Sequence, residues 1–198
     1  MKTALLLSGG MDSIAIAYWK RPCLAITIDY GHAAAPGEIR AAIAVTDALR
    51  IPHKVIKADI SAVGSGDLAG VSPHSSAPAT EWWPYRNQFL LTVAAMHCLN
   101  EGASELLIGA LRTDGFHADG TTEFIAAFNA LLELQEGELS VRAPAIGFSA
   151  AELVRESNIP RELLSWSHSC HKSEFACGNC RGCWKHQDTT QELYGEAY

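Results

Sequence analysis

The sequence predicts an α/β fold, a doubly wound parallel sheet with a small metal-binding segment at its carboxyl end, and three observations carry that prediction. Apolar runs alternate with helical patterns from the amino terminus to Ala58, as in parallel strands joined by crossover helices. The first apolar run, Ala4-Leu5-Leu6-Leu7, stops at two glycines and resumes as a helix through Ser8-Gly9-Gly10-Met11-Asp12-Ser13. Four of the six cysteines crowd into positions 170–183 at spacings that suit a metal rather than a disulfide framework.

The 198 residues fit one domain of roughly 100–250 residues. We divide them into an α/β domain over 1–164 and a four-cysteine segment over 165–198. Apolar residues make up 48% and charged residues 19%, the balance of an ordinary soluble globule. The net charge of −7 and the lack of any Lys/Arg block argue against a nucleic-acid groove, which must neutralise phosphates. A small-molecule substrate is the expectation. Met1-Lys2 leads straight into a strand, leaving no room for a signal h-region, and no apolar run nears the roughly 20 residues of a membrane span. The reading is a cytoplasmic protein with reduced cysteines and no membrane partner.

The glycine turn is the first chemical signal. Glycines let the backbone turn with positive φ and approach an anion without a Cβ in the way. Asp12 and Ser13 then begin a helix whose free N–H groups and dipole favour a phosphate by roughly 0.3–2 kcal/mol. No lysine follows the glycines, which excludes a Walker-type loop.

Cys23 to Ile28 reads as a second strand ending at Asp29-Tyr30-Gly31-His32. Asp29 and Tyr30 there can reach a ribose or an adenine, or Asp29 can simply close a turn. Residues 36–50 form an Ala-rich helix with Pro36 in its first turn, and 53–58 a third strand. Residues 59–83 lack periodicity and are read as a lid or interface loop. Pro84-Tyr85-Arg86-Asn87 opens a helix with apolar residues at helical spacing. Arg86 opposes the dipole of that first turn and calls for a negative partner, a phosphate or Glu81. Residues 105–109 are the fourth strand and 110–122 a loop with Arg112, Asp114, His117 and Asp119. A helix over 123–135, a fifth, edge strand over 139–144, a helix over 149–157 and a short one from Pro160 complete the domain. Cys23, Cys98 and His97 read as packing.

Cys170, Cys177, Cys180 and Cys183 have the spacing of a closed tetrahedral zinc site. Such a site leaves no open position for water, so it is structural. A redox dithiol or a sulfur-carrying pair needs only two of the four. His168, His171 and His186 flank the cluster without being needed as ligands.

The Ser8–Ser13 stretch resembles the SGGxDS loop of the PP-loop ATP pyrophosphatases, whose fold is that of the adenine nucleotide alpha hydrolases. Together with the Cx6CxxCxxC tail, the chain resembles the 7-cyano-7-deazaguanine synthase family of queuosine biosynthesis. Asp29-Tyr30-Gly31 resembles that family's DYG turn, Pro84-Tyr85-Arg86-Asn87 its PNRN, and Glu123-Phe124 the end of its YPDCRPEF segment. The resemblance implies a ligase that activates a 7-deazaguanine carboxylate on the α-phosphate of ATP, releases pyrophosphate, and forms an amide and then a nitrile with ammonia. It implies ATP, Mg²⁺ and Zn²⁺ as cofactors. The nucleotide site it implies comprises Leu7, Ser8, Gly9, Gly10, Met11, Asp12, Ser13, Ile14, Asp29, Tyr30, Arg86 and Gly109. Asp12, Ser13, Arg86 and Asp114 are the catalytic candidates, and Asn87, His117, Asp119 and Glu123 the substrate-binding ones.

Departures fall on the substrate side. His117-Ala118-Asp119-Gly120-Thr121 stands where the family reads YPDCR, His32 where it has Gln, and Phe148-Ser149-Ala150-Ala151-Glu152 where it carries a lysine before the late helix. Asp119 can read a guanine-like edge or cap the next helix. A divergent relative can also pass the acyl group to another amine, even a protein amino terminus. A tRNA-thiolating enzyme and a non-catalytic nucleotide or zinc module are the remaining alternatives, and the charge and the metal-like cysteines oppose the first. The carboxyl-terminal segment makes a homodimer an expectation.

Overall fold

A computed structural model describes residues 2–114 and 117–196. Five parallel strands form one sheet in the order β3-β2-β1-β4-β5: β1 (Thr3–Leu6), β2 (Leu24–Asp29), β3 (His53–Lys57), β4 (Glu105–Leu107) and β5 (Ser140–Arg142). The expected strands are all present, shorter by a residue or more at several ends, and β5 lies at an edge. Ala4 pairs with Leu24 on one side and with Leu106 on the other, so β1 is central.

Alternation along the strands sorts side chains into two cores. Leu5, Leu7, Ala25 and Leu107 meet α1 (Met11–Lys20), α2 (Ala35–Leu49) and α6 (Ala150–Ser157) on one face. Ala4, Leu24, Ile26, Ile28, Leu106 and Val141 meet α4 (Arg86–Asn100) and α5 (Thr122–Glu133) on the other. Both faces are thus covered, which is why β1 and β2 read as continuous apolar runs.

Local chemistry sets the helix ends. Ser149 caps α6 in a reciprocal box with Glu152, whose carboxylate accepts the Ser149 N–H at 2.7 Å. Thr121 Oγ1 accepts the Phe124 N–H and caps α5. Capping therefore falls to Thr121, not to Asp119.

Residues 59–83 form a built wall. A turn at Ser61–Val63 and the short α3 (Gly66–Ala69) are pinned where Ala33 N–H donates to Leu68 O and Asp67 N–H to Thr80 O, both at 2.8 Å. Leu68, Glu81 and Trp83 are buried there.

Beyond the short α7 (Arg161–Leu164), the tail ends in α8 (Arg181–Tyr194), a helix that the sequence reading had not placed. It packs against α6, with Leu193 on the α1-side core. Among the described residues no helix is long and apolar enough to cross a membrane.

Candidate active site

The chain runs β1, β2, β3 to one side and then returns to place β4 on the other side of β1. At this reversal the loops leaving β1 and β4 part to opposite faces and open a crevice at the strands' carboxyl ends. A cavity of about 780 Å³ lies there, bounded by the glycine loop, the β4 loop, residues 81–91 and α8.

The loop is shaped for an anion. Gly9 has φ +80°, and a Cβ built there would fall on the Glu38 carbonyl oxygen in the first turn of α2. Gly10 precedes α1 without a side-chain cap, so the N–H groups of Met11, Asp12 and Ser13 have no carbonyl one turn back. Ser13 Oγ donates to Gly10 O at 3.0 Å and lies 3.1 Å from Ser8 Oγ, which fixes the turn. His168 N–H donates to Gly9 O at 2.9 Å, strapping the tail onto the loop. Gly9→Ala is expected to cost about 1–3 kcal/mol in backbone strain alone. A denaturant titration should show that loss together with at least tenfold weaker ATP binding; unchanged binding would mean that the loop is not the nucleotide site.

Beside the loop, Lys185 Nζ of α8 donates to Asp12 Oδ2 at 3.0 Å and to Asp114 Oδ1 at 3.1 Å. Asp114 Oδ2 accepts the Leu111 N–H at 3.0 Å, so its carboxylate is held by both oxygens. Asp12 Oδ1 is buried with no partner among the described residues. Burial opposes the charge on Lys185, yet the Asp12 and Asp114 carboxylates more than offset it and hold the ammonium above its ordinary range.

Part of the cavity wall is aromatic. The Tyr30 ring stacks on His32 at 3.8 Å between centroids and meets Trp83 edge-on at 5.3 Å. Burial pushes the Tyr30 phenol above its ordinary value, although the nearby Arg86 guanidinium opposes that rise. Arg86 also donates to Asn87 Oδ1 at 3.1 Å, and Asn87 Nδ2 donates to Asp119 O at 3.3 Å. Among the described residues no carboxylate lies within ion-pair distance of Arg86. Glu81 is taken instead by Arg181, 2.6 Å away, and by His117, 3.2 Å away.

Leu7, Ser8, Gly10, Asp12, Ser13, Tyr30, Arg86, Asn87, Gly109, Asp114, His117 and Asp119 all line this cavity. Met11 lines a smaller adjoining one of about 160 Å³. Gly9 lies against α2, and Ile14 is a core residue packed with Leu5 and Leu107. Asp29 is outside the wall: its Oδ1 accepts the Gly31 N–H at 3.1 Å, the turn-closing alternative. Glu123 is exposed in the first turn of α5 and does not reach the cavity.

The tail supplies wall residues that the sequence reading did not select, namely Lys185, Arg181 and His171. Gly182 permits this approach, since a Cβ there would fall on the Ser169 carbonyl oxygen. Trp83, whose buried Nε1 has no partner among the described residues, was likewise unselected. The helical spacing of the small or apolar Gly182, Cys183, Thr189, Thr190 and Leu193 is the available signal for α8.

Behind α8, the sulfurs of Cys170, Cys177, Cys180 and Cys183 all lie within 4.8 Å of one another. Against the burial that raises it, amide hydrogen bonds from Lys172, Cys177 and Ser173 draw the Cys170 thiol down to about 6. Burial and the neighbouring Cys180 push the Cys183 thiol up to about 12. Converged thiols that oppose one another's ionisation fit a bound cation. His168 and His186 are turned away, to Ser173 O and Ser169 Oγ.

The sequence model of the family described as Queuosine biosynthesis protein QueC matches residues 2–194. The chain belongs to this family. Two QueC-family relatives are the 7-cyano-7-deazaguanine synthases of Chlorobium phaeobacteroides and Chlorobium luteolum. The first is 34% identical, spanning 92% of this chain and 89% of that one. The second is 32% identical, spanning 92% and 88%. The synthase of Methanococcus maripaludis is 26% identical over 97% of this chain and 95% of its own. The U34-tRNA thiolase NcsA of Methanococcus maripaludis, solved with its 4Fe-4S cluster, superposes with a TM-score of 0.55 at 16% identity. That match covers 98% of this QueC-family chain and 66% of the thiolase, and the likeness is one of fold.

Proposed function

We propose that this QueC-family chain is an ATP-dependent carbon–nitrogen ligase. It activates a 7-deazaguanine-type carboxylate as the acyl adenylate, with release of pyrophosphate, and passes the acyl group to ammonia with release of AMP to form the amide, which a second ATP-dependent activation dehydrates to the nitrile. The observation that carries this reading is one cavity lined by both the anion loop and the Tyr30–Trp83 aromatic pair. Such a lining offers donors to a triphosphate and aromatic faces to a planar heteroaromatic acid in the same cavity.

In the first step a substrate carboxylate oxygen attacks the α-phosphorus. The bond from that phosphorus to the bridging oxygen breaks, and its electron pair leaves on pyrophosphate. The protein's task is to stabilise negative charge fixed in space, as preorganised donors do. The open N–H groups of Met11, Asp12 and Ser13 are suited to the phosphates, and Arg86 and Asn87 to the substrate acid. Asp119 and the Trp83 indole N–H are suited to the edge of the base, one as acceptor and one as donor. Asp12 and Asp114 are the carboxylates to which Mg²⁺ would bind; it would supply neutralisation of phosphate charge. The four cysteines would hold Zn²⁺ in a closed structural site.

Incubation with ATP, Mg²⁺ and 7-carboxy-7-deazaguanine is expected to release pyrophosphate only when the acid is present. Mass spectrometry with ammonia should find the amide or nitrile. Absence of acid-dependent pyrophosphate would end this reading. Turnover with a peptide amine but not ammonia would move the acceptor to a protein amino terminus.

A further inference from the structure

The main and the adjoining cavity share one wall, next to the glycine loop, and among the described residues Lys185 is the only Lys or Arg on it. The other two such cations in the main cavity are engaged elsewhere: Arg181 with Glu81, and Arg86 with Asn87. An ammonium has three N–H donors. Lys185 spends two on Asp12 and Asp114, and its side chain remains 39% exposed on the cavity side of α8. A third donor is therefore available to an oxygen entering the loop. Lys185 thus fixes a positive charge beside the two carboxylates that an incoming polyanion must approach.

We infer that Lys185 is a phosphate-contacting residue of the nucleotide site, the cation that offsets charge on the departing pyrophosphate while it keeps Asp12 and Asp114 in place. It remains protonated throughout, since the electron pair of the broken bond stays on the pyrophosphate oxygen. The inference rests on the proposed reaction only for its catalytic half. Nucleotide binding tests it separately.

The experiment uses the full chain, calorimetric titration with ATP and with inorganic pyrophosphate, and steady-state pyrophosphate release. Lys185→Met is expected to weaken binding of both ligands at least tenfold and to lower kcat about 100-fold, the scale of one lost charge-stabilising donor. Its metal content should be unchanged. Ala150, at the first position of α6, lines both cavities as Lys185 does. The double variant Lys185→Met/Ala150→Lys returns an ammonium to that wall from another helix and should regain at least tenfold in ATP affinity. Binding and kcat within threefold of the parent in Lys185→Met would overturn the inference. Should Lys185→Met not fold, a folded double variant that fails to bind ATP overturns it equally. A parent that binds ATP through Lys185 yet releases no pyrophosphate with any acid would leave this inference standing and remove the proposed reaction.

Discussion

Asp12→Ala is expected to abolish acid-dependent pyrophosphate release, by about 1,000-fold or more, while the chain still folds. Asp12 opens α1 directly behind the anion loop and is one of two carboxylates that hold Lys185, at 3.0 Å. Loss of it removes a candidate metal ligand and the anchor of Lys185 together, so the effect should reach the upper end of what a single electrostatic group contributes, about 100- to 1,000-fold, or exceed it. Stability behaves differently because two contributions oppose each other. The substitution takes away an ion pair, but it also removes Asp12 Oδ1, a buried oxygen with no partner among the described residues, whose desolvation costs about 1–3 kcal/mol. Lys185 keeps Asp114, 3.1 Å away, so no charge is orphaned. A melting temperature within a few degrees of the parent alongside lost turnover is the expected pair of results. Turnover within tenfold of the parent would take Asp12 out of the chemistry.

Much of this arrangement is legible in the amino-acid sequence. The glycine loop follows from Gly9 and Gly10 ending an apolar strand, and the parallel sheet from apolar runs that alternate with helical patterns, whereas the sorting of Leu5 to one core and Ala4 to the other is visible only in the fold. Local rules serve where partners are close in sequence, as in the Ser149–Glu152 box. They fail where the site is closed by residues distant in the chain. Lys185 stands 173 positions from Asp12, and no periodicity or composition announces that its helix docks back on the first loop. Glu81 illustrates the same limit. Its negative charge asks for a cation nearby, and Arg86 is the obvious one in sequence, but the fold brings in Arg181 from 100 positions away. Arg86 is thereby left for the cavity. Asp29 and Tyr30 are adjacent, yet the strand ends between them, so Asp29 turns to Gly31 and only Tyr30 enters the wall.

Removing the metal is expected to damage both stability and nucleotide binding, although no cysteine sulfur belongs to the nucleotide loop. Cys180 is 2% exposed and caps α8, accepting the Cys183 N–H at 3.4 Å. Arg181 and Lys185 follow it on the same helix, so the four-thiolate cluster sets where that helix begins and where its cations point. Without a cation the clustered thiols cannot all ionise, as the elevation of Cys183 by burial and by Cys180 indicates. Cys180→Ser, or chelation of the native protein, should therefore strip the metal held by the cluster and lower the melting temperature by roughly 10 °C. For a chain of this size, that shift corresponds to a loss of about 3–5 kcal/mol. The two-faced sheet core does not depend on the cluster, so the sheet should persist. ATP affinity should fall at least tenfold, as in Lys185→Met, but here accompanied by metal loss, whereas Lys185→Met keeps its metal. Full ATP affinity in the metal-free protein would show that α8 holds its position without the cluster, and the metal would then serve the tail alone.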